Sequence, residues 1–133
     1  MIQANELRIG NYVNTNNGID IIKGIFLECL SFDNRGNENV STYNYYLKLP
    51  IGACNPIPLT EELLLKCGFE KVGTKGGYSF DKDKLSIVFK NVFYENGRTY
   101  FNSWCILEHS IKYLHQLQNL YFALTQTELQ INL

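Results

Sequence analysis

Cysteine and histidine have the widest chemical repertoire of the residues in this sequence, and three of them lie close together near its end. Cys105, His109 and His115 follow a Cys-x3-His-x5-His spacing. Thiolate and imidazole are good zinc ligands, but a structural zinc site takes four ligands, and no second close cysteine completes this one. A cysteine and a histidine also serve nucleophilic catalysis, but nothing in the sequence marks this thiol as activated. We therefore expect neither a metal site nor a catalytic thiol.

Paired carboxylates and a glycine-rich segment are the other candidates for chemistry. Glu61 and Glu62 suit a helix N-terminus, and Asp81 and Asp83 suit a turn flanked by lysines, rather than the facing pair of a glycosidase. The Gly-Thr-Lys-Gly-Gly segment at 73–77 lacks the spacing of a phosphate-binding loop and leads into a strand, so we predict a hairpin turn there. These observations predict that the protein is not an enzyme and uses no cofactor or metal.

Length and composition predict one folded domain. The chain has 133 residues, of which 45% are hydrophobic and 19% are charged, and this balance excludes disorder and low-complexity classes. Twelve basic and thirteen acidic residues give a net charge of -1, so no overall field selects nucleic acid or a membrane surface. Neither a signal peptide nor an apolar span is present in the sequence, which predicts a cytoplasmic protein whose four cysteines are buried free thiols.

The first half of the chain is typical of a curled β-sheet. Asn17 and Gly18 favour a tight hairpin between two short strands, and Gly24 favours a bend or bulge in the stretch that follows. We expect a loop over 33–39 and another strand over 43–47. Short strands with a glycine-marked bend predict a small partial barrel.

A connector, a short helix and a second group of strands follow. The proline-rich stretch 49–58 separates two halves, and a helix over 61–67 is predicted with Thr60 as its N-cap and Gly68 at its end. Strands are predicted over 69–72, 78–80, 85–95 and 98–107. A hairpin turn at Asn96 and Gly97 would set Phe89 opposite Trp104, with a ladder of aromatic residues facing the core.

The last helix, predicted over 111–125, has an unusual polar face. Its apolar stripe is wide enough to cover a sheet, and the chain carries no formal charge between Lys112 and Glu128. The face opposite the stripe, called here the polar face, consists of His115, Gln116, Gln118, Asn119 and Phe122.

Uncharged amides with an aromatic residue suit a place from which water is partly excluded, and two interpretations of the polar face follow. The first is that the protein itself covers this face. The second is that His115, Gln118, Asn119 and Phe122 form a surface for self-association or for a protein partner.

A nucleic-acid partner is the alternative function class. The segment 66–98 carries seven basic and four acidic residues, and several tyrosines lie on predicted strands in or near it. They are Tyr43, Tyr45, Tyr46, Tyr78, Tyr94 and Tyr100.

Three segments resemble a family of small proteins of Bacteroidetes-lineage bacteria and of their phages or mobile elements. They are 5–13 (Asn-Glu-Leu-Arg-Ile-Gly-Asn-Tyr-Val), 56–69 (from Pro-Ile-Pro-Leu-Thr-Glu-Glu to Cys-Gly-Phe) and 113–125, with its His-Gln-Leu-Gln-Asn-Leu-Tyr run. The family has no assigned function, so the resemblance implies a bacterial or phage origin and no role for any residue.

Together, these patterns predict an α+β protein with mostly antiparallel, curled sheets, a short central helix and a C-terminal helix packed on a sheet. We expect a single domain, 1–133, with a β-rich N-terminal half (1–49) and an α+β C-terminal half (59–133). The expected function is a non-enzymatic binding or assembly module, acting through a protein partner or a homo-oligomer; the alternative is a nucleic-acid-associated protein of a phage or mobile element.

Overall fold

The computed structural model describes residues 2–29, 36–44, 49–74, 77–89 and 93–133. The chain divides into two compact units. The first comprises Met1–Pro58 with Tyr113–Asn119, and the second comprises Leu59–Lys112 with Leu120–Leu133. The division falls at Pro58, at the end of the proline-rich connector.

The first unit contains a four-stranded antiparallel sheet that curls into a half-barrel. Its strands follow one another in the order β1-β2-β3-β4. They are β1 (Tyr12–Thr15), β2 (Gly18–Cys29), β3 (Gly36–Thr42) and β4 (Leu49–Pro50). Two short 3-10 turns, Ala4–Glu6 and Ile51–Ala53, flank them, and a hydrophobic core is built around the buried Ile2, Leu7, Val13, Ile22, Val40 and Cys54.

Two glycines shape this sheet, Gly18 at the first hairpin and Gly24 at a bulge. The β1–β2 hairpin forms, with Gly18 at φ +95 and Thr15 paired to it, so the turn lies one residue earlier than expected. The β2–β3 register shifts between Ile22 and Gly24, which confirms the predicted bulge. A Cβ on Gly24 would lie 2.6 Å from the Ser41 hydroxyl oxygen, so this bend leaves no room for a side chain.

The third strand is displaced from its predicted position. β3 occupies Gly36–Thr42, so part of the predicted 33–39 loop is a strand, and the chain turns at 43–44, where a strand was expected. Val40 is fully buried opposite Ile25, and this core contact outweighs the polar composition of the flanking residues. The remainder of the predicted 43–47 strand and residues 33–35 lie outside the described residues.

The second unit combines a five-stranded antiparallel sheet with two helical pieces. The order of its strands is β5-β6-β7-β8-β9. They are β5 (Glu70–Thr74), β6 (Gly77–Lys82), β7 (Leu85–Val88), β8 (Arg98–Phe101) and β9 (Trp104–Leu107). The short helix α1 (Glu61–Lys66) precedes them, and the last helix, α2 (Leu114–Thr125), gives its final residues to this unit. The α+β class is thereby confirmed.

Helix α1 has the ends that the sequence predicts. The Thr60 hydroxyl accepts the Leu63 backbone N–H at 3.1 Å, and Gly68 adopts φ +87 just beyond the helix. Lys82 adds a third contact, because its Nζ donates to the Cys67 carbonyl at 2.8 Å and so satisfies a carbonyl that the helix leaves free.

The predicted register around Asn96 and Gly97 is wrong. β7 ends at Val88, Ile87 pairs with Thr99, and Trp104 pairs with Phe101 instead of Phe89. The tight hairpin turn lies at Asn102 and Ser103.

The positive φ angles explain where the tight turns fall. Asn102 and Ser103 adopt φ 53 and 69, and Asp83 and Lys84 adopt φ 48 and 71 in the turn before β7. Two consecutive positive φ angles give a turn whose twist matches that of paired strands.

Helix α2 begins at Leu114, three residues later than predicted. The residues just before it are extended, since the Leu59 N–H donates to the Lys112 carbonyl and the Leu114 N–H donates to the Ile57 carbonyl, both at 2.9 Å. One side of the helix is buried. Its buried residues are Leu114, His115, Leu117, Gln118 and Tyr121. Neither described helix has the length and apolar character that crossing a membrane requires.

Candidate functional site

Gln118 and Asn119, on the polar face of α2, contact the N-terminal segment, defined here as residues 2–12. Gln118 is 2% exposed, and its side-chain amide bonds to two backbone groups of this segment. Its Oε1 accepts the Tyr12 N–H at 2.8 Å, and its Nε2 donates to the Gly10 carbonyl at 3.0 Å. The Gln118 side chain therefore provides Gly10 and Tyr12 with the backbone hydrogen-bond partners that a neighbouring strand would otherwise provide.

Asn119 makes a second set of contacts with the same segment. Its Nδ2 donates to the Glu6 carbonyl at 2.9 Å, while its Oδ1 accepts Asn11 Nδ2 at 2.9 Å and Arg8 Nε at 3.3 Å. Arg8 also donates to the Gln118 backbone carbonyl at 3.4 Å. Both amides are thus satisfied within the first unit.

His115 lies one turn before these amides and is 1% exposed. Within the described part of the chain, neither of its ring nitrogens has a hydrogen-bond partner. The ring stacks on Tyr113 with centroids 5.9 Å apart and planes 13° apart. Burial lowers the pKa of His115, and the Glu6 carboxylate opposes that effect without reversing it. The imidazole is therefore held as a neutral, packed ring.

These contacts agree with the first interpretation of the polar face, coverage by the protein itself, for His115, Gln118 and Asn119. Phe122 is half-buried. A binding role for the four residues stays a prediction.

The cysteines and histidines do not form the cluster that their spacing allowed. Cys105 and His109 are exposed and belong to the second unit, whereas His115 is buried in the first. Among the described residues, no group of three or more His, Cys, Asp or Glu is placed to hold a metal ion. Cys54 and Cys67 are buried free thiols as predicted, but the expectation of burial is wrong for Cys105. The Cys29 side chain lies outside the description.

Asp81 lies near two tight turns of the second unit, at 83–84 and 102–103. Ser86 Oγ donates to Asp81 Oδ1 at 2.6 Å, in a groove of about 360 Å³ that Lys84, Asn102 and Ser103 also line. Leu85 also belongs to the lining, so the groove is partly apolar.

β9 lies at one edge of the five-stranded sheet, and its first three residues are exposed while Leu107 is half-buried. Trp104 is 76% exposed and Ile106 is 37% exposed, and Cys105 between them is also exposed. In the described sheet, β9 pairs with β8 alone. The strand carries no charge and no proline. The sequence predicts that Trp104 faces the core, and the structure corrects this.

β5, at the other edge of the same sheet, is different in character. It carries Glu70 and Lys71, and Lys71 Nζ lies 3.2 Å from the Glu61 carboxylate and 4.0 Å from the centre of the Tyr78 ring. Charged residues on an edge strand disfavour pairing with another chain. The two edges therefore differ in their capacity to accept an added strand.

An aromatic and cationic cluster lies next to β9. The Arg98 guanidinium is 4.4 Å from the centre of the Tyr94 ring, and Tyr100 pairs with Cys105 across β8 and β9. A hydrogen bond with Tyr94 raises the pKa of Tyr100, and partial burial adds to this effect.

The chain matches no protein-family model, no curated protein and no solved structure. Its resemblance to the Bacteroidetes-lineage family therefore stays a prediction, and the function is argued from geometry alone.

Proposed function

We propose that this protein is a non-enzymatic assembly module that associates through the β9 edge of its five-stranded sheet. The observation that carries the proposal is the contrast between β9, which is uncharged and exposed, and β5, which is charged. Natural proteins usually protect sheet edges with lysine, proline or a covering element. Among the described strands β9 pairs with β8 alone, and it carries neither lysine nor proline, so its edge suits a protein that adds a strand from another chain.

The backbone and the side chains of β9 specify an extended, mostly apolar partner. An edge strand offers a row of N–H and C=O groups whose natural partner is another strand. Trp104 and Ile106 add apolar area, and exposed tryptophan is enriched among residues that dominate binding energy. A helical partner would leave the backbone groups of this edge unpaired, and a charged partner would not cover its apolar side chains.

A second copy of this chain is the partner that we propose. Trp104, Ile106 and Leu107 of β9 are large and apolar. Two β9 strands paired antiparallel would therefore place apolar side chains opposite each other, with no repulsion between like charges. A two-fold pair of this kind uses the same surface on both copies and closes without forming a fibre. The contact is small, so we expect a weak, concentration-dependent dimer.

Sedimentation equilibrium with an edge-blocking substitution tests the proposal. Ile106→Lys places a charge on β9, at a residue that is 37% exposed. Val72→Lys is the matched control, because it places a charge on β5 at a residue that is 41% exposed. From about 10 µM to about 1 mM, we expect the wild type and Val72→Lys to dimerise and Ile106→Lys to stay monomeric. A monomeric wild type throughout that range would contradict the proposal.

Nucleic-acid association is the second candidate, and a specific observation favours it. Tyr43 and Tyr78 are exposed, and the ammonium groups of Lys23 and Lys71 lie 5.9 Å and 4.0 Å from the centres of their rings. Exposed aromatic rings beside cations can stack with bases and contact phosphates. Fluorescence anisotropy with a single-stranded oligonucleotide at low and high salt tests this function. Binding that weakens with salt and with Tyr78→Ala supports it, and no binding at low salt excludes it.

A further inference from the structure

The attachment of the N-terminal segment to α2 is mostly polar. Gln118 and Asn119 hold Glu6, Gly10 and Tyr12 through hydrogen bonds of 2.8–3.0 Å. Ile2 and Leu7 of the same segment belong to the hydrophobic core around the four-stranded sheet. Any change that brings water to this part of α2 offers these amides alternative partners, because a hydrogen bond lost to solvent is largely replaced by one to water.

His115 is placed to bring about such a change. It precedes Gln118 and Asn119 by three and four residues, so its side chain lies on the same face of the helix. Its two ring nitrogens are buried without a partner in the described structure, and such groups in a native protein call for a specific explanation. A neutral ring tolerates this environment, but an imidazolium has two N–H donors and a charge that both need solvation.

The charges around His115 do not supply that solvation. Glu6 is the acidic residue whose field acts on the ring, yet its carboxylate already accepts the Gln3 N–H at 2.7 Å. Arg8 is the basic residue attached to the next turn of the helix, and its charge disfavours a second cation nearby. Tyr113 offers the face of its ring. Moving the N-terminal segment away would expose the imidazolium to water, and this gain in solvation outweighs the loss of Glu6, which moves with the segment and whose effect on the pKa is smaller than that of burial.

We propose that protonation of His115 weakens the attachment of the N-terminal segment to α2, so that acidification opens this part of the first unit while the five-stranded sheet stays folded. The proposal is independent of β9 and of the assembly proposed above. It rests on the unpartnered ring and on the amide contacts next to it.

Hydrogen exchange of single backbone amides tests the proposal. The Tyr12 N–H reports directly, since it donates to Gln118 Oε1, and amides in β6 and β7 report the stability of the other sheet. Between pH 7 and pH 5, we expect Tyr12 protection, corrected for intrinsic exchange rates, to fall by up to about tenfold for each pH unit over which His115 titrates. Protection in β6 and β7 is expected to stay constant.

Two variants identify the titrating group. His115→Phe keeps a flat, stackable ring that cannot be protonated, and His115→Gln is a second neutral choice if the first packs poorly. Either is expected to abolish the pH dependence at Tyr12. His109→Gln, at the exposed second histidine, is the matched control and is expected to preserve it. Tyr12 protection that is equal at both pH values, or that falls together with β6 and β7, would overturn the proposal.

Discussion

Tyr12 and Gln118 lie 106 positions apart in the chain, and the Tyr12 backbone N–H donates to the Gln118 side chain at 2.8 Å. A side chain of α2 thus supplies the hydrogen bond that would otherwise come from a neighbouring strand. This relationship ties the start of β1 to the last helix, and it accounts for an amide at a fully buried helical position where an apolar residue would be usual.

Gln118→Ala is expected to destabilise the first unit. It leaves the Tyr12 N–H and the Gly10 carbonyl without their partner, and an unsatisfied buried group costs about 1 to 3 kcal/mol. We expect a loss of about 2 to 4 kcal/mol in the free energy of unfolding by urea. Gln130→Ala, at an exposed position, is the control and should change stability by less than about 0.5 kcal/mol. Equal effects of the two substitutions would contradict the assigned role.

The sequence predicts the elements of this fold better than it predicts their pairing. The cap at Thr60, the bulge at Gly24 and the β1–β2 hairpin are local features, and each depends on residues a few positions apart. The partner of Trp104 depends on which two residues adopt positive φ. Asn96 and Gly97 have the preferred residue types for a hairpin turn, but the tight turn forms at Asn102 and Ser103.

The candidate sites show the same difference between local and long-range signals. The absence of charge on α2 is visible in the sequence, and it correctly predicts that His115 and Gln118 avoid water. Their partners in the N-terminal segment are not predictable, because amide contacts across 106 positions leave no periodicity. The exposed β9 edge was missed because Trp104 and Ile106 have core-like types, and only strand order shows that β9 is at an edge.

Gly97→Ala is expected to destabilise the protein more than Gly10→Ala. Both glycines have positive φ, +70 and +98, so alanine is strained by about 1 to 2 kcal/mol at either one. A Cβ on Gly97 would also overlap the Val88 carbonyl and the Ser110 side chain, whereas a Cβ on Gly10 has open space. We expect the free energy of unfolding, measured with urea, to fall by about 3 kcal/mol or more for Gly97→Ala and by about 1 to 2 kcal/mol for Gly10→Ala. A smaller loss at Gly97 than at Gly10 would show that Gly97 does not lie against Val88 and Ser110 as described.

The cysteines are expected to differ widely in reactivity. Cys105 is exposed, whereas burial raises the pKa of Cys54 and raises that of Cys67 to about 11, against a weaker opposing effect of Lys82. Thiolate is the reactive form, so we expect an aromatic disulfide reagent at pH 8 to label Cys105 more than about a hundredfold faster than Cys54 and Cys67. Peptide mapping by mass spectrometry assigns the labelled residue. Loss of the fast phase in Cys105→Ser is the required control, and comparable rates at the three thiols would contradict the described burial.

The stability of the second unit is expected to fall in alkali through Tyr121. Burial and a 2.5 Å hydrogen bond from the Tyr121 hydroxyl to Asp83 Oδ2 raise the pKa of Tyr121 to about 12. In the unfolded chain a tyrosine loses its proton near pH 10. Between pH 10 and 12, the unfolded state therefore binds fewer protons than the folded state. The contribution of the Tyr121 hydroxyl to stability is complete below pH 10 and is lost as the pH rises toward 12.

Tyr121→Phe separates this effect from the titration of the lysines. The variant lacks the hydroxyl, so it is expected to be about 1 kcal/mol less stable than the wild type at pH 8 and to lose less stability between pH 10 and 11.5. Tyr78→Phe, at an exposed ring, is the control and should follow the wild-type profile. Unfolding by urea at each pH gives the free energies. If Tyr121→Phe and the wild type lost stability in parallel above pH 10, the Tyr121 hydroxyl would not be held by Asp83 in the folded protein.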